Sequence, residues 1–107
     1  MNKIMGLLTM ARRASKLALG MDMAKDACRS KEARCVCVAD DISQKSLKEV
    51  KFFCSLDNVP LYSLAMTMDE VGEQLGKKVG IIAVLDSGFY KKAKTLIEEI
   101  SLDDITY

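Results

Sequence analysis

Histidine is absent from this 107-residue chain, and only six residues are aromatic. Without histidine, Ser15, Ser43, Ser87 and the cysteines lack the commonest general base, so no nucleophile is paired with a base and an orienting group. A mixed cysteine–histidine zinc site is excluded for the same reason. The four cysteines (Cys28, Cys35, Cys37, Cys54) show no C-x-x-C spacing, so they read as free, buried, small hydrophobes rather than metal ligands or disulfide partners. No Walker A loop is present: residues 72–76 (G-E-Q-L-G) lack the Lys-Ser/Thr that must follow. No apolar run approaches the ~20 residues that span a bilayer. Arg12, Arg13 and Lys16 interrupt the place where a secretory apolar region would sit. These absences predict a cytoplasmic protein that is not an enzyme, with no metal, no cofactor, no small-molecule substrate and no membrane partner.

What the chain does have is an uneven charge distribution. Residues 1–34 carry eight Lys or Arg against three acids, and residues 35–107 carry eight against twelve. A basic front end is therefore joined to an acidic body under a net charge of +1. Either the cations line a solvated helix face, or their local field gathers a polyanion.

The length fits one domain over 1–107, with an aliphatic, methionine-filled core. Periodicity predicts a helix over 2–18, with Ile4, Leu7, Leu8 and Ala11 on one face. A second helix is expected over about 22–30 with Asp22 as N-cap. The run 34–39 (R-C-V-C-V-A) reads as a strand covered on both faces, with Cys35 and Cys37 sharing one of them. Ser43 is a good cap for a helix over 44–56. Residues 59–64 read as a short strand opened by Pro60. Thr67 with Glu70 has the spacing of a capping box over 68–75, ended by Gly76. The run 79–85 (V-G-I-I-A-V-L) is the most hydrophobic strand, and 88–100 reads as the last helix. The tail 101–107 is acidic and reads as frayed. Helices alternating with buried strands indicate an α/β domain.

Asp40, Asp41 and Asp86 follow strand ends, where active sites of such folds gather. They read either as magnesium ligands for phosphoryl transfer or as caps of neighbouring helices. The basic front end carries a sharper signal. Gly20 opens a helix just after Arg12, Arg13 and Lys16, and free N–H groups at a helix start can seat a phosphate. Lys25, Arg29 and Arg34 would extend that surface, giving a nucleic-acid footprint centred on the opening turn of the second helix. No aromatic residue lies there for base stacking, so structured RNA fits better than a single strand.

Several segments, in order and spacing, resemble the kink-turn RNA-binding family of ribosomal proteins. They are 5–15 (M-G-L-L-T-M-A-R-R-A-S), 16–20 (K-L-A-L-G), 38–42 (V-A-D-D-I), 58–60 (N-V-P), 69–77 (D-E-V-G-E-Q-L-G-K) and 81–89 (I-I-A-V-L-D-S-G-F). The small bacterial members are the nearest in pattern. The resemblance implies a three-layer α-β-α sandwich with a small mixed four-stranded sheet. It also implies binding of a sharply bent RNA internal loop by the start of the second helix and by the loop before the fourth. That second loop corresponds to Leu64, Ala65, Met66 and Thr67, whose apolar character suits packing against an extruded base.

The family motif at the second helix is Gly, a small residue, Asn-Glu, two residues, then Lys. Here the run is Gly20, Met21, Asp22, Met23, Ala24, Lys25, Asp26. Gly20 matches. Asp22 accepts but cannot donate at a base edge as Asn does. Met23 removes an acceptor. Asp26 opposes a phosphate where Lys belongs, and Lys25, one residue early, is turned by about 100° around the helix. The resulting expectation is a ribosome-associated RNA-binding protein whose partners are structured, ribosomal RNA and ribosomal proteins. The alternative is a protein-interaction module on the same fold, its RNA site degenerate and an apolar patch of Met21, Met23 and Met66 docking the partner.

Overall fold

The computed structural model describes residues 2–102. The expectation for the acidic tail falls largely on 103–107, outside the described residues. Helix α1 (Lys3–Arg13) opens at Asn2, whose Oδ1 accepts the Ile4 N–H at 2.9 Å. The helix expected over 2–18 stops at Arg13 because Ser15 takes a left-handed φ of 59°, which cannot propagate a right-handed turn. The chain then forms a strand, β1 (Leu17–Leu19), and a helix, α2 (Met21–Arg29). Beyond them follow β2 (Cys35–Val38), α3 (Gln44–Leu56), β3 (Leu61–Ser63), α4 (Met68–Leu75), β4 (Ile81–Val84), α5 (Ser87–Ala93) and β5 (Glu98–Ile100).

Side-chain caps fix α3 and α4 where their sequences place them. Ser43 Oγ accepts the Ser46 N–H at 3.0 Å. Thr67 Oγ1 accepts from the Glu70 N–H at 3.2 Å while Glu70 Oε1 accepts from the Thr67 N–H at 2.9 Å. This capping box satisfies two otherwise orphaned donors. The helix expected over 88–100 ends at Ala93 instead. Its last turn tightens, with Thr95 and Leu96 N–H groups bonding Lys92 and Ala93 carbonyls, and β5 follows, pairing Tyr62 with Glu99.

The sheet order is β1-β4-β2-β3-β5. Among the described residues the fold is thus the expected α-β-α sandwich on a mixed sheet, with five strands where four were expected. Strands β2 and β3 run parallel; the other described neighbours are antiparallel. On one face α1, α4 and α5 bury Met5, Leu8, Val71 and Ala93 against Cys35, Cys37, Ile82 and Val84. On the other, α2 and α3 bury Ala24, Cys28, Val50 and Phe53 against Val36, Val38, Leu61 and Ala83. Alternation along β2 sends Cys35 and Cys37 to the first face and Val36 and Val38 to the second.

All four cysteines are buried free thiols. Cys35 and Cys54 are pushed far above the ordinary thiol range, first by thiol–thiol hydrogen bonds with Cys37 and Cys28 and then by burial. Cys28, hydrogen-bonded to the Cys54 thiol, is shifted down instead. All four side chains are fully buried, so a thiol reagent, which must reach the sulfur, should modify none of them in the native protein and all four in denaturant. One thiol reacting within the mixing time would contradict this packing.

Candidate nucleic-acid interface

The mixed sheet has two chemically different ends. At one, β1 finishes just before Gly20, β2 and β3 finish, and β4 begins; this is the Gly20 end. At the other, β1, β2 and β3 begin and β4 finishes just before Leu85; this is the Arg34 end.

Gly20, not Asp22, is the N-cap of α2. Its φ of 96° and ψ of 166° lie in a region essentially restricted to glycine. That geometry turns the chain from β1 into the helix. The Gly20 N–H donates to the Ile81 carbonyl at 2.8 Å, and its own carbonyl accepts from Ala24 at 3.0 Å. No side chain caps the helix, so its first-turn N–H groups keep their donor capacity. A Cβ at Gly20 would meet nothing within 4 Å, so this turn is open. Asp22 and Met23 are exposed just beyond it, with Met21 and Lys25 half-buried.

The second expected contact loop lies at the same end, three strand spacings away, which is roughly 14 Å. The loop is held tightly. Leu64 N–H donates to the Val38 carbonyl at 2.9 Å and Asp40 N–H to the Met66 carbonyl at 2.7 Å. Ala65 takes φ 55°, with its N–H on Ser63 Oγ at 3.1 Å. Leu64 is 2% exposed and Met66 8%, so both side chains serve the core. Ala65, exposed, and Thr67, half-buried, form the outward surface. The apolar patch expected from Met21, Met23 and Met66 is therefore not assembled: Met66 is buried, Met21 half-buried, and Met23 alone stands out at 59% exposure.

Between the two loops the floor is close-packed. A Cβ on Gly80 would come within 2.5 Å of Ile42 Cγ2 and 2.8 Å of Met68 Sδ. Asp41 Oδ1 accepts the Met68 N–H at 2.8 Å, and Asp86 Oδ2 accepts the Phe89 N–H at 3.0 Å. Both aspartates thus serve helix starts. Because β4 runs antiparallel to β2, Asp86 lies at the Arg34 end while Asp40 and Asp41 lie at the Gly20 end. The three do not form one metal site.

The cations do not gather around the opening turn of α2 as the sequence suggested. Arg12 and Arg13 occupy the last turn of α1 and Arg29 the last turn of α2. Both helices end at the Arg34 end, where Lys16 begins the passage into β1. Arg12 Nη1 donates to the Leu75 carbonyl, closing the C-terminus of α4. The physical reason is the helix dipole: positive side chains are favoured where carbonyls are left over. Of the cations singled out, only Lys25 is on the first half of α2. Lys31, one of the eight cations of the basic front end but outside the expected footprint, follows the Ser30 C-cap of α2 close to Arg29. The carboxylates of Asp22, Asp40, Asp41, Asp69 and Glu70 lie instead toward the Gly20 end.

Residues 2–94 match the Ribosomal protein L7Ae/L30e/S12e/Gadd45 family. The chain belongs to this family. Among relatives, the RNA-binding protein YlxQ of Enterococcus faecium is 36% identical over 90% of this chain and 92% of its own length. The YlxQ protein of Bacillus subtilis is 31% identical over 86% and 92%. The fold superposes on a Bacillus halodurans protein of unknown function with a TM-score of 0.83 at 25% identity, covering 90% of this chain and 97% of that one. In this L7Ae-family member the Gly20 turn and the loop over residues 64–67 stand at one end of the sheet.

Proposed function

We infer that this chain is a non-catalytic RNA-binding protein of the cytoplasm, associated with the ribosome, that recognises structured RNA with a kink-turn-like bend. One observation carries the reading: the uncapped, open start of α2 and the pinned loop carrying Ala65 and Thr67 stand at the same end of the sheet. Membership of the L7Ae family and the RNA-binding name of the YlxQ relatives support it. In this reading, N–H groups of the first turn meet phosphate, Asp22 accepts from a base edge, and Ala65 abuts an extruded nucleotide. The neighbouring carboxylates weaken attraction to phosphate, so shape is read at modest affinity.

Filter binding with an internal-loop RNA and with its fully paired counterpart tests this reading. The bent RNA should bind more tightly, and its affinity should fall with salt at a log–log slope near −0.7 to −0.9 per phosphate neutralised. Asp26→Lys, which restores the family's cation on an exposed position, should raise affinity for the bent RNA by roughly threefold to tenfold, since one added phosphate contact is involved, and raise it less for the paired counterpart. Equal affinity for bent and paired RNA, together with no response to Asp26→Lys, would remove the reading.

A further inference from the structure

We propose that the Arg34 end of the sheet is a second RNA-contact face, one that holds the sugar–phosphate backbone of double-helical RNA without reading sequence. This goes beyond recognition at the Gly20 end and does not depend on it. Three chain turns meet there. The turn from α1 to β1 brings Arg13, Ser15 and Lys16, and that from α2 to β2 brings Arg29, Lys31 and Arg34. The exit of β4 brings Leu85. Backbone bonds fix their relation: Leu85 N–H donates to the Lys16 carbonyl at 2.8 Å and Arg34 N–H to the Val84 carbonyl at 2.7 Å. Lys16 and Arg34 therefore flank the end of β4 from either side, two strand spacings or roughly 10 Å apart. Ser15, Lys16, Lys31, Glu32, Arg34 and Leu85 line one shallow cleft of about 350 Å³.

Among the described residues the balance of charge at this end is positive. Glu32 shares the cleft, and Asp26 is exposed on α2 one turn before Ser30. Asp57 lies 3.6 Å from Lys31, which offsets part of that cation. The Asp86 carboxylate is engaged by the Phe89 N–H. Against these stand Arg13, Lys16, Arg29, Lys31 and Arg34, all exposed. At the Gly20 end five carboxylates stand against Lys25, Lys45, Lys77 and Lys78, and Lys78 is already held by Asp69 at 3.0 Å. The molecule measures 37 × 26 × 24 Å, while charges are screened over about 8 Å at physiological salt. A polyanion therefore meets the two ends as separate surfaces, the Arg34 end the more attractive by charge.

The cleft selects the kind of partner. No aromatic side chain lines it, so it offers bases no stacking platform. It is shallow and its cations are long and flexible or forked, which suits phosphate oxygens on a regular backbone. Duplex RNA presents such oxygens at high density. A protein that reads a bend at one end and grips a flanking or separate helix at the other can bridge two RNA elements.

Fluorescence anisotropy with a short, fully paired RNA duplex without bulges tests this across a salt series on the full chain. The triple variant Lys16→Ala, Arg29→Ala, Arg34→Ala should bind the duplex at least tenfold more weakly, with a salt slope shallower by about 2 to 3, each lost phosphate contact accounting for about 0.9. A control of equal net charge, Lys45→Ala, Lys77→Ala, Lys78→Ala, should bind within about twofold of the wild type, because Lys45 opens α3 after β2 and Lys77 and Lys78 precede β4, which places all three at the Gly20 end. Unchanged melting temperature establishes that the triple variant is folded. Wild-type affinity in the triple variant, or an equal loss in the control, overturns the proposal. So does displacement of the duplex by poly-glutamate at equal charge concentration, which would assign the face to acidic protein. Preference for bent over paired RNA is read separately; its absence would remove the kink-turn reading and leave this face standing.

Discussion

Gly20→Ala should destabilise the protein by about 1–3 kcal/mol and cut affinity for bent RNA by more than tenfold, although the added methyl has room. The cost is in the backbone. Gly20 sits at φ 96° and ψ 166°, where a Cβ collides with its own chain, and holding a non-glycine residue there costs on the order of 1–3 kcal/mol. Crowding is excluded as the cause, since a Cβ would meet no outside atom within 4 Å. Relief of the strain requires rotating the turn between β1 and α2. That would re-aim the uncapped first-turn N–H groups and loosen the 2.8 Å bond from Gly20 to Ile81. In a domain of this size each kcal/mol corresponds to roughly 2–8 °C in melting temperature. Gly76→Ala is the internal control. Gly76 has φ 78° and ψ 8°, an αL position that other residues enter at about 1–2 kcal/mol, and it lies at the far end of α4 from the proposed contact. It should lower the melting temperature and leave RNA affinity intact. If Gly20→Ala melts like the wild type and binds bent RNA equally well, the turn is not the strained hinge described here.

The contrast between elements shows what a sequence of this kind makes readable. Helices α3 and α4 begin where Ser43 and Thr67 stand because each cap uses a side chain visible in the sequence. Strands β2 and β4 are unbroken apolar runs, so their burial on two faces is plain. Strands β1 and β5 are three residues each, too short to carry a period. Leu17–Leu19 continues the spacing of α1, and Leu96 and Ile97 continue that of α5. What makes them strands is pairing with β4 and β3, partners more than thirty residues away. The site divides in the same way. Gly20 is legible from its motif, and the backbone geometry explains why glycine belongs there. The inward aim of Leu64 and Met66 is not legible, because a loop residue shows its burial only once Val38 and Asp40 have fixed the loop's carbonyls and N–H groups. The cations misled for a related reason. They are neighbours of Gly20 in sequence, but β1 separates Lys16 from Gly20 and α2 separates Gly20 from Arg29, so both lie at the opposite end of the sheet.

Phe53→Ala should be the most destabilising of the substitutions considered, at about 3–5 kcal/mol. Phe53 is 2% exposed and is the largest side chain of the cluster in which α3 faces α2 and the sheet, among Cys28, Val36, Val50 and Leu61. Removing the ring deletes buried apolar surface and leaves a cavity that β2 and α2 cannot fill without breaking their own pairing. Against a typical total of about 5–15 kcal/mol, that is a large fraction of the stability. Phe53→Leu, which keeps most of the volume, should lose less than about 1.5 kcal/mol. The neighbouring Phe52 is 46% exposed, so Phe52→Ala should lose much less than Phe53→Ala. Chemical denaturation of the three variants measures the order directly. The functional consequence separates this substitution from those at either sheet end. Helix α2 packs on α3 through Ala24, Ala27 and Cys28, and it carries Gly20 at its start and Arg29 at its finish. Loosening its seat should weaken binding of bent and of fully paired RNA together, whereas Gly20→Ala should weaken only the first. A Phe53→Ala protein no less stable than Phe52→Ala would mean that α2 is not held by this cluster.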